Sequence, residues 1–317
     1  MGLTNKQMIL AKVETTYGTD ATPTNALNAI KCGSLNITPL NVEAIERNLI
    51  QPFFGNNQKI IVSKSVAVDF EVELTGSGTA GTAPHYGSLL KGCALAETVS
   101  AGVSVTYTPI TLTSALQGGT SLSLYFQRDG IKHVLLGARG SFSLDLTVKT
   151  LPKLKFTFTG LLGTISDNAL NTTGLTYVAA TPVAVSTANT TPATFYGYSP
   201  TIESFTMDIS NDVKQRILIG SESVIISDRK PKGTLKIESP ALATKDFFNL
   251  AQTSALGTFS IKHGQTAGNI VTIATHSQGM AIEAPKYATN DGVDMLDMSF
   301  SLIPTATGND ELTITLT

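Results

Sequence analysis

The chain has 317 residues, of which 42% are hydrophobic and only 15% charged; its formal charge is −2 and its pI is near 6.1. There is no basic excess to neutralise phosphates, which disfavours tight gripping of nucleic acid. No run reaches the ~18 apolar residues of a membrane span, the amino terminus carries no signal-like apolar core, and Cys32 and Cys93 form no Cys-x-x-Cys pair, so a soluble protein of a reducing compartment is expected.

Residues 1–30 read as an amino-terminal arm: a short apolar segment from Met8 to Glu14, then the turn-rich Thr15 to Pro23, a composition that rarely packs by itself. A first β domain is expected over 31–163. Its strands run from Ile30 to Thr38 and from Lys59 to Leu74; in the second, Val66, Val68, Phe70, Val72 and Leu74 alternate with Ala67, Asp69, Glu71 and Glu73. That alternation buries one face of the sheet and wets the other. Between these strands, Val42 to Asn57 predicts a projecting loop or hairpin with Arg47 near its middle and Phe53-Phe54 at its tip. Pro84 to Leu95 predicts a helix with Tyr86, Leu89, Leu90 and Cys93 on one side. Asp129-Gly130 then closes a hairpin, since both residues tolerate positive φ, and strands at Ser141 to Val148 and Lys153 to Gly160 end the domain.

Residues 164–195, rich in Thr, Ala, Asn and Pro, read as a linker, with Thr176-Tyr177-Val178 as a brief added strand. A second β domain over 196–304 repeats the plan. It has a projecting loop from Asp212 to Lys230, a helix from Ala243 to Ala255, a hairpin from Thr258 to Ala274, and strands at Met280 to Ala284 and Met295 to Pro304. The correspondence is one of phase more than identity. Leu35 and Ile37 fall on Phe205 and Met207 at a spacing of 170; Arg47 falls on Arg216 at 169; Val68, Phe70 and Val72 fall on Gly233, Leu235 and Ile237 at 165. Tyr86 and Leu89 meet Phe247 and Leu250 at 161, the hairpin residues Leu122 and Val134 meet Phe259 and Val271 at 137, and Leu154, Phe156 and Phe158 lie over Leu296, Met298 and Phe300. Agreement over successive elements predicts a tandem duplication. Residues 305–317 have no counterpart and read as an added edge strand.

Reactive chemistry finds little support. Gly76-Ser77-Gly78-Thr79-Ala80-Gly81 satisfies Gly-x-Gly-x-x-Gly, with Glu97 downstream. The strand before it carries three alternating carboxylates, whereas the first strand of a dinucleotide-binding sheet is buried on both faces. His85, His133, His263 and His276 show no ligand spacing, and paired carboxylates such as Asp69 with Glu71 suit solvation better than acid–base work. No catalytic, metal or cofactor site is therefore expected, nor a small-molecule ligand.

The wording Leu10-Ala11-Lys12-Val13-Glu14-Thr15-Thr16-Tyr17-Gly18-Thr19-Asp20, followed by Pro23-Thr24 and Asn28-Ala29-Ile30, resembles the opening of tail tube proteins of long-tailed, non-contractile bacteriophages and related prophages. The resemblance is close over about the first thirty residues and extends beyond them in layout. It implies a mainly β fold of two duplicated antiparallel sandwich or partly rolled barrel domains, each with a short flanking helix. It further implies a virion protein, assembled in the bacterial cytoplasm, whose rings stack into a hollow tube for double-stranded DNA, with tail tip and tail terminator proteins as partners. Where one domain per subunit gives six-membered rings, a fused pair implies homotrimers with pseudo-sixfold symmetry. On this reading Asp69, Glu71, Glu73, Asp145, Lys236 and Glu238 line the bore. Leu10, Tyr17, Arg47, Phe53, Phe54, Arg216, Ile217 and Leu218 are the expected contacts between subunits or rings. A virion decoration or host-binding protein is the structural alternative, and a nucleotide-dependent enzyme using the Gly76 loop the chemical one.

Overall fold

The computed structural model describes residues 6–113, 120–177 and 179–317. In chain order the first half holds β1 (Gln7–Val13), α1 (Asn25–Asn28), β2 (Ala29–Ile30), β3 (Leu35–Ile45), β4 (Ile60–Glu73), α2 (Gly87–Gly92), β5 (Leu95–Ser100), β6 (Ser104–Pro109), β7 (Leu122–Arg128), β8 (Gly130–Thr147) and β9 (Lys153–Asn168). The second holds β10 (Ala193–Phe195), β11 (Ile202–Asp208), β12 (Asn211–Leu218), β13 (Ser221–Arg229), β14 (Lys232–Glu238), α3 (Phe247–Gln252), β15 (Leu256–Gly257), β16 (Phe259–His263), β17 (Val271–Ala274), β18 (Met280–Asn290), β19 (Val293–Leu302) and β20 (Thr313–Leu316). The chain is mainly β, as its alternating patterns predict, and its antiparallel sheets do not close into a barrel.

Two sheets face each other. The larger runs β3-β4-β9-β8-β11-β14-β19-β18-β15 without a break, so strands of both halves lie side by side. The junction is β8 against β11, with Leu144 opposite Met207 and Leu146 opposite Phe205. A branch, β7-β1-β2, pairs with the first part of β8 on the same edge that β11 uses further along. The second sheet runs β10-β16-β17-β20-β6-β5. Aromatic rings fill the space between. Phe70, Phe142, Phe156 and Phe158 pack at centroid distances of 5.7 to 6.1 Å in one half; Phe195, Phe205, Phe259 and Phe300 pack at 5.3 to 6.0 Å in the other. Rings in offset or tilted contact at such distances contribute beyond their buried area.

Pairing registers agree between the halves. Leu35 opposes Phe70 as Phe205 opposes Leu235; Ile37 opposes Val68 as Met207 opposes Gly233. Phe156 and Leu154 oppose Phe70 and Val72 as Met298 and Leu296 oppose Leu235 and Ile237. The blocks β3-β4-β9-β8 and β11-β14-β19-β18 thus share strand order and register.

Several expectations are corrected. The first thirty residues are no arm: β1 lies between β7 and β2, with Ile9 and Leu10 buried. Met8 to Ala11 is apolar at every position because both of its faces are covered. The two halves are not separate sandwiches, since one core cluster draws residues from both and each sheet contains both. The carboxy-terminal strand is not an edge; β20 sits between β17 and β6 and joins the halves of the second sheet. Nor do the hairpins matched at a spacing of 137 correspond. β7 and β8 belong to the large sheet, whereas β16 and β17 belong to the second, where β5 and β6 are their neighbours across β20. The β5–β6 hairpin is hidden in the sequence because Leu95 continues the apolar spacing of the helix before it. The two expected helices are shorter than their patterns, Gly87–Gly92 and Phe247–Gln252. The linker is pinned by backbone hydrogen bonds from Val185 to Thr150 and from Ala180 to Gly76, and Val178, in its expected strand, lies outside the described residues.

Candidate assembly surfaces

Alternation along each strand turns polar side chains to one face of the large sheet, and pairing lines them up across it. One row reads Glu71, Lys155, Ser143, Asp208, Lys232 and Ser301; the next reads Glu73, Lys153, Asp145, Thr206, Thr234, Ser299 and Glu283. The six residues expected to line the bore share this face: Asp69, Glu71 and Glu73 on β4, Asp145 on β8, Lys236 and Glu238 on β14. Lysines temper the acidity. Lys153 reaches Glu71 at 2.8 Å with Lys155 at 3.8 Å, and Lys236 reaches Glu203 at 2.8 Å. The Lys153 hydrogen bond holds the Glu71 carboxyl below its ordinary range. Sequence reasoning misses Lys153 and Lys155, although their alternation with Leu154 and Phe156 carries the same signal as the acids of β4. This face is therefore mixed in charge.

Two hairpins leave this sheet. In the first half, the outer parts of β3 and β4 carry a strandless loop over residues 46–59. Arg47, Phe53 and Phe54 are exposed there, with Leu49 and Ile50, and the stem exposes Leu40, Val42, Ile60, Ile61 and Val62. The second hairpin, β12–β13, exposes Arg216, Ile217, Leu218 and Ile219 at its tip. Contiguous exposed apolar side chains of this kind mark interaction surfaces.

Their stems differ. The β12–β13 stem lies against β8 and β9 and is fastened through Val224, whose N–H donates to Tyr17 Oη at 2.5 Å and whose carbonyl accepts from Arg139 Nη1 at 2.8 Å. Arg139 is itself buried beneath the Tyr17 ring, 5.0 Å from its centroid. Burial pushes the Tyr17 phenol up and the Arg139 guanidinium down from their usual values. Below them Glu14, wholly buried, accepts from Gly18 N, Gly137 N, Ser121 Oγ and Ser123 Oγ at 2.8 to 2.9 Å, the satisfaction a buried carboxylate needs. Gly137 has φ +57, and a Cβ there would lie 2.6 Å from the Tyr17 ring, so glycine answers both constraints. Tyr17 thus braces its own chain, and Leu10 packs inward with Met8, Ala29, Tyr125 and Val134. Neither is a free contact residue.

The Gly76 loop is spent on packing. Gly76 N bonds Asn269 Oδ1 at 2.8 Å and Gly78 N bonds Gly268 O at 2.9 Å. A Cβ on Gly76 would lie 1.9 Å from Gly268 O, so this glycine lets two backbones of different halves touch. His263 bonds Thr190 Oγ1 and Val183 O, and His276 bonds Ile303 O; burial holds His85 down to about 4.

No curated protein matches the chain. The model of one family, described as phage tail tube protein, matches residues 4–315, nearly the entire length and including both hairpins and both halves of the large sheet. The chain therefore belongs to the phage tail tube protein family, structural proteins of the virion tail.

Proposed function

We propose that this chain is a tandem duplication whose copies close in threes into rings, and that the rings stack into the tube through which phage double-stranded DNA passes. The observation that carries the reading is the large sheet. It crosses both halves in one band, polar on one face and apolar on the other, and ends at β3 and at the later part of β18 with backbone edges that no strand among the described residues pairs. An exposed edge invites another strand, and a head-to-tail contact that closes leaves no edge behind. Each chain brings two four-strand blocks of matching register, so three chains bring six.

Eight strands from each of three chains, spaced by ~4.8 Å, give a circumference of roughly 115 Å and a diameter of about 37 Å before strand tilt widens it. Such a band leaves room for a duplex inside its side chains. Its wall, with carboxylates on β4 and β8 facing lysines on β9 and β14, offers no net positive charge for phosphates to adhere to. The function is mechanical and calls on no reactive centre. The apolar tips at Phe53-Phe54 and Ile217 to Ile219 join successive rings, and tail tip and terminator proteins cap the ends.

Electron microscopy of the purified, assembled protein tests this. Hollow tubes built of three-chain rings, their inner wall formed by the face bearing Glu71 and Asp145, are expected. Isolated spikes would favour a decoration or host-binding role, and tubes with that face outward would overturn the DNA path.

A further inference from the structure

The junction inside the chain is a template for the junction between chains. Resting on the ring reading above, the geometry points to one specific contact: the outer edge of β3, residues 34–38, pairs antiparallel with residues 286–290 of β18 in a second copy, Asn36 opposite Ala288 and Ile37 opposite Tyr287.

The register follows from the pairings. Within the chain, Thr206 opposes Asp145 and Met207 opposes Leu144. Subtracting 170 from the β11 positions gives Asn36 and Ile37, which hold the same places against β4 that Thr206 and Met207 hold against β14. On the other side, Leu144 and Asp145 oppose Leu154 and Lys153, and Tyr287 and Ala288 oppose Leu296 and Met295. Since 154 and 296 differ by 142, as do 153 and 295, Tyr287 and Ala288 occupy the sites of Leu144 and Asp145.

Burial shows what is missing at these two ends. Leu144 and Met207, covered by each other's strands, are 2% and 1% exposed, whereas Tyr287 is 70% exposed and Ile37 only half-buried. Tyr287 stands against Phe248 of α3 at 5.5 Å, with Leu242 and Leu256 also exposed, an apolar patch at one end of the molecule. Leu40 and Val42, exposed on the β3 stem, form its counterpart at the other. A surface that fits a different surface of its own kind is what a closing ring requires.

A side chain repeats as well. Asn211, where β12 leaves the sheet, donates its amide to Cys93 O, just past α2, at 2.8 Å and to Gly140 O at 3.0 Å. Its counterpart 170 residues earlier is Asn41, exposed on β3. In the ring Asn41 reaches the carbonyls just past α3, at Thr253, and at Ile282 of the neighbouring copy.

Paired cysteines test the register. Directly opposed residues in antiparallel strands have Cα atoms about 4.5–5.5 Å apart, within disulfide reach. In a Cys32→Ser background, Asn36→Cys with Ala288→Cys should on oxidation of assembled protein convert more than half of the monomer into a covalent series that stops at three chains. Ser34→Cys with Lys286→Cys, four residues out of register and so about 13 Å apart, should give less than a tenth as much. Tubes that form without the 36–288 bridge, or that form the 34–286 bridge equally, overturn the register and leave the ring standing. A 36–288 series running past three chains upholds the register and overturns the three-chain ring.

Discussion

The two hairpins that leave the large sheet share a sequence pattern and differ in what covers their stems. The β12–β13 stem rests on its own chain, clamped at Val224 by Tyr17 and Arg139 and tied by Gln215 Nε2 to Lys64 O at 3.0 Å. The stem of β3 and β4 meets the rest of its chain at that Lys64 carbonyl and leaves Leu40, Val42 and Ile60 to Val62 exposed. One half therefore displays in completed form the contact that the other half presents open. On the ring reading proposed above, one junction is settled within the chain and the next is left to assembly.

This contrast is broken most severely at Arg139. Arg139→Ala removes the buried cation beneath Tyr17 and its hydrogen bond to Val224 O, and should cost about 2–4 kcal/mol. A shift of the denaturant midpoint at unchanged slope measures it. Next come the paired asparagines. Asn211→Ala strands two carbonyls and should lower the stability of the isolated chain by about 1–3 kcal/mol. Asn41→Ala should leave that stability unchanged and reduce ring formation, read by sedimentation of assembled against unassembled protein. Equal destabilisation by both would dissolve the comparison.

At the tips, Phe54→Ser and Ile219→Ser should each alter chain stability by less than about 0.5 kcal/mol, since both side chains are fully exposed. They should shorten the tubes seen by microscopy, and normal lengths would remove them from the contacts between rings. The smallest effect belongs to Glu71→Gln, which removes a surface pair worth below about 1 kcal/mol and weaker in salt. Because Lys153 lowers the folded-state pKa of Glu71, its contribution is present above the ordinary carboxylate value and lost as pH falls through the folded one. The difference between the melting curves of the wild type and of Glu71→Gln should accordingly vanish in acid.

How much is legible depends on whether a signal is local. The alternation of Val66 to Leu74 with Asp69, Glu71 and Glu73 assigns strand and faces correctly, because side chains on a strand alternate whatever their neighbours are. The match between the two blocks is legible too: Leu35 falls on Phe205 and Phe70 on Leu235 in phase, and each pair is opposed in its own block. The hairpin β16–β17 misleads, because alternation names the buried face of a strand but not the sheet it joins. Tyr17 misleads for a related reason: an aromatic residue in a polar loop looks free until Arg139 and Val224, far along the chain, are brought to it.

Composition and periodicity alone determined a mainly β chain with half-wetted strands and projecting apolar loops, since each is written in the order of neighbouring residues. Tertiary structure decided that the opening segment and the final strand are interior to their sheets, and that the halves share one core. Those outcomes depend on contacts between residues hundreds of positions apart, Gly76 with Gly268 and Val105 with Leu316 among them, and no local pattern encodes which distant edge a strand will find.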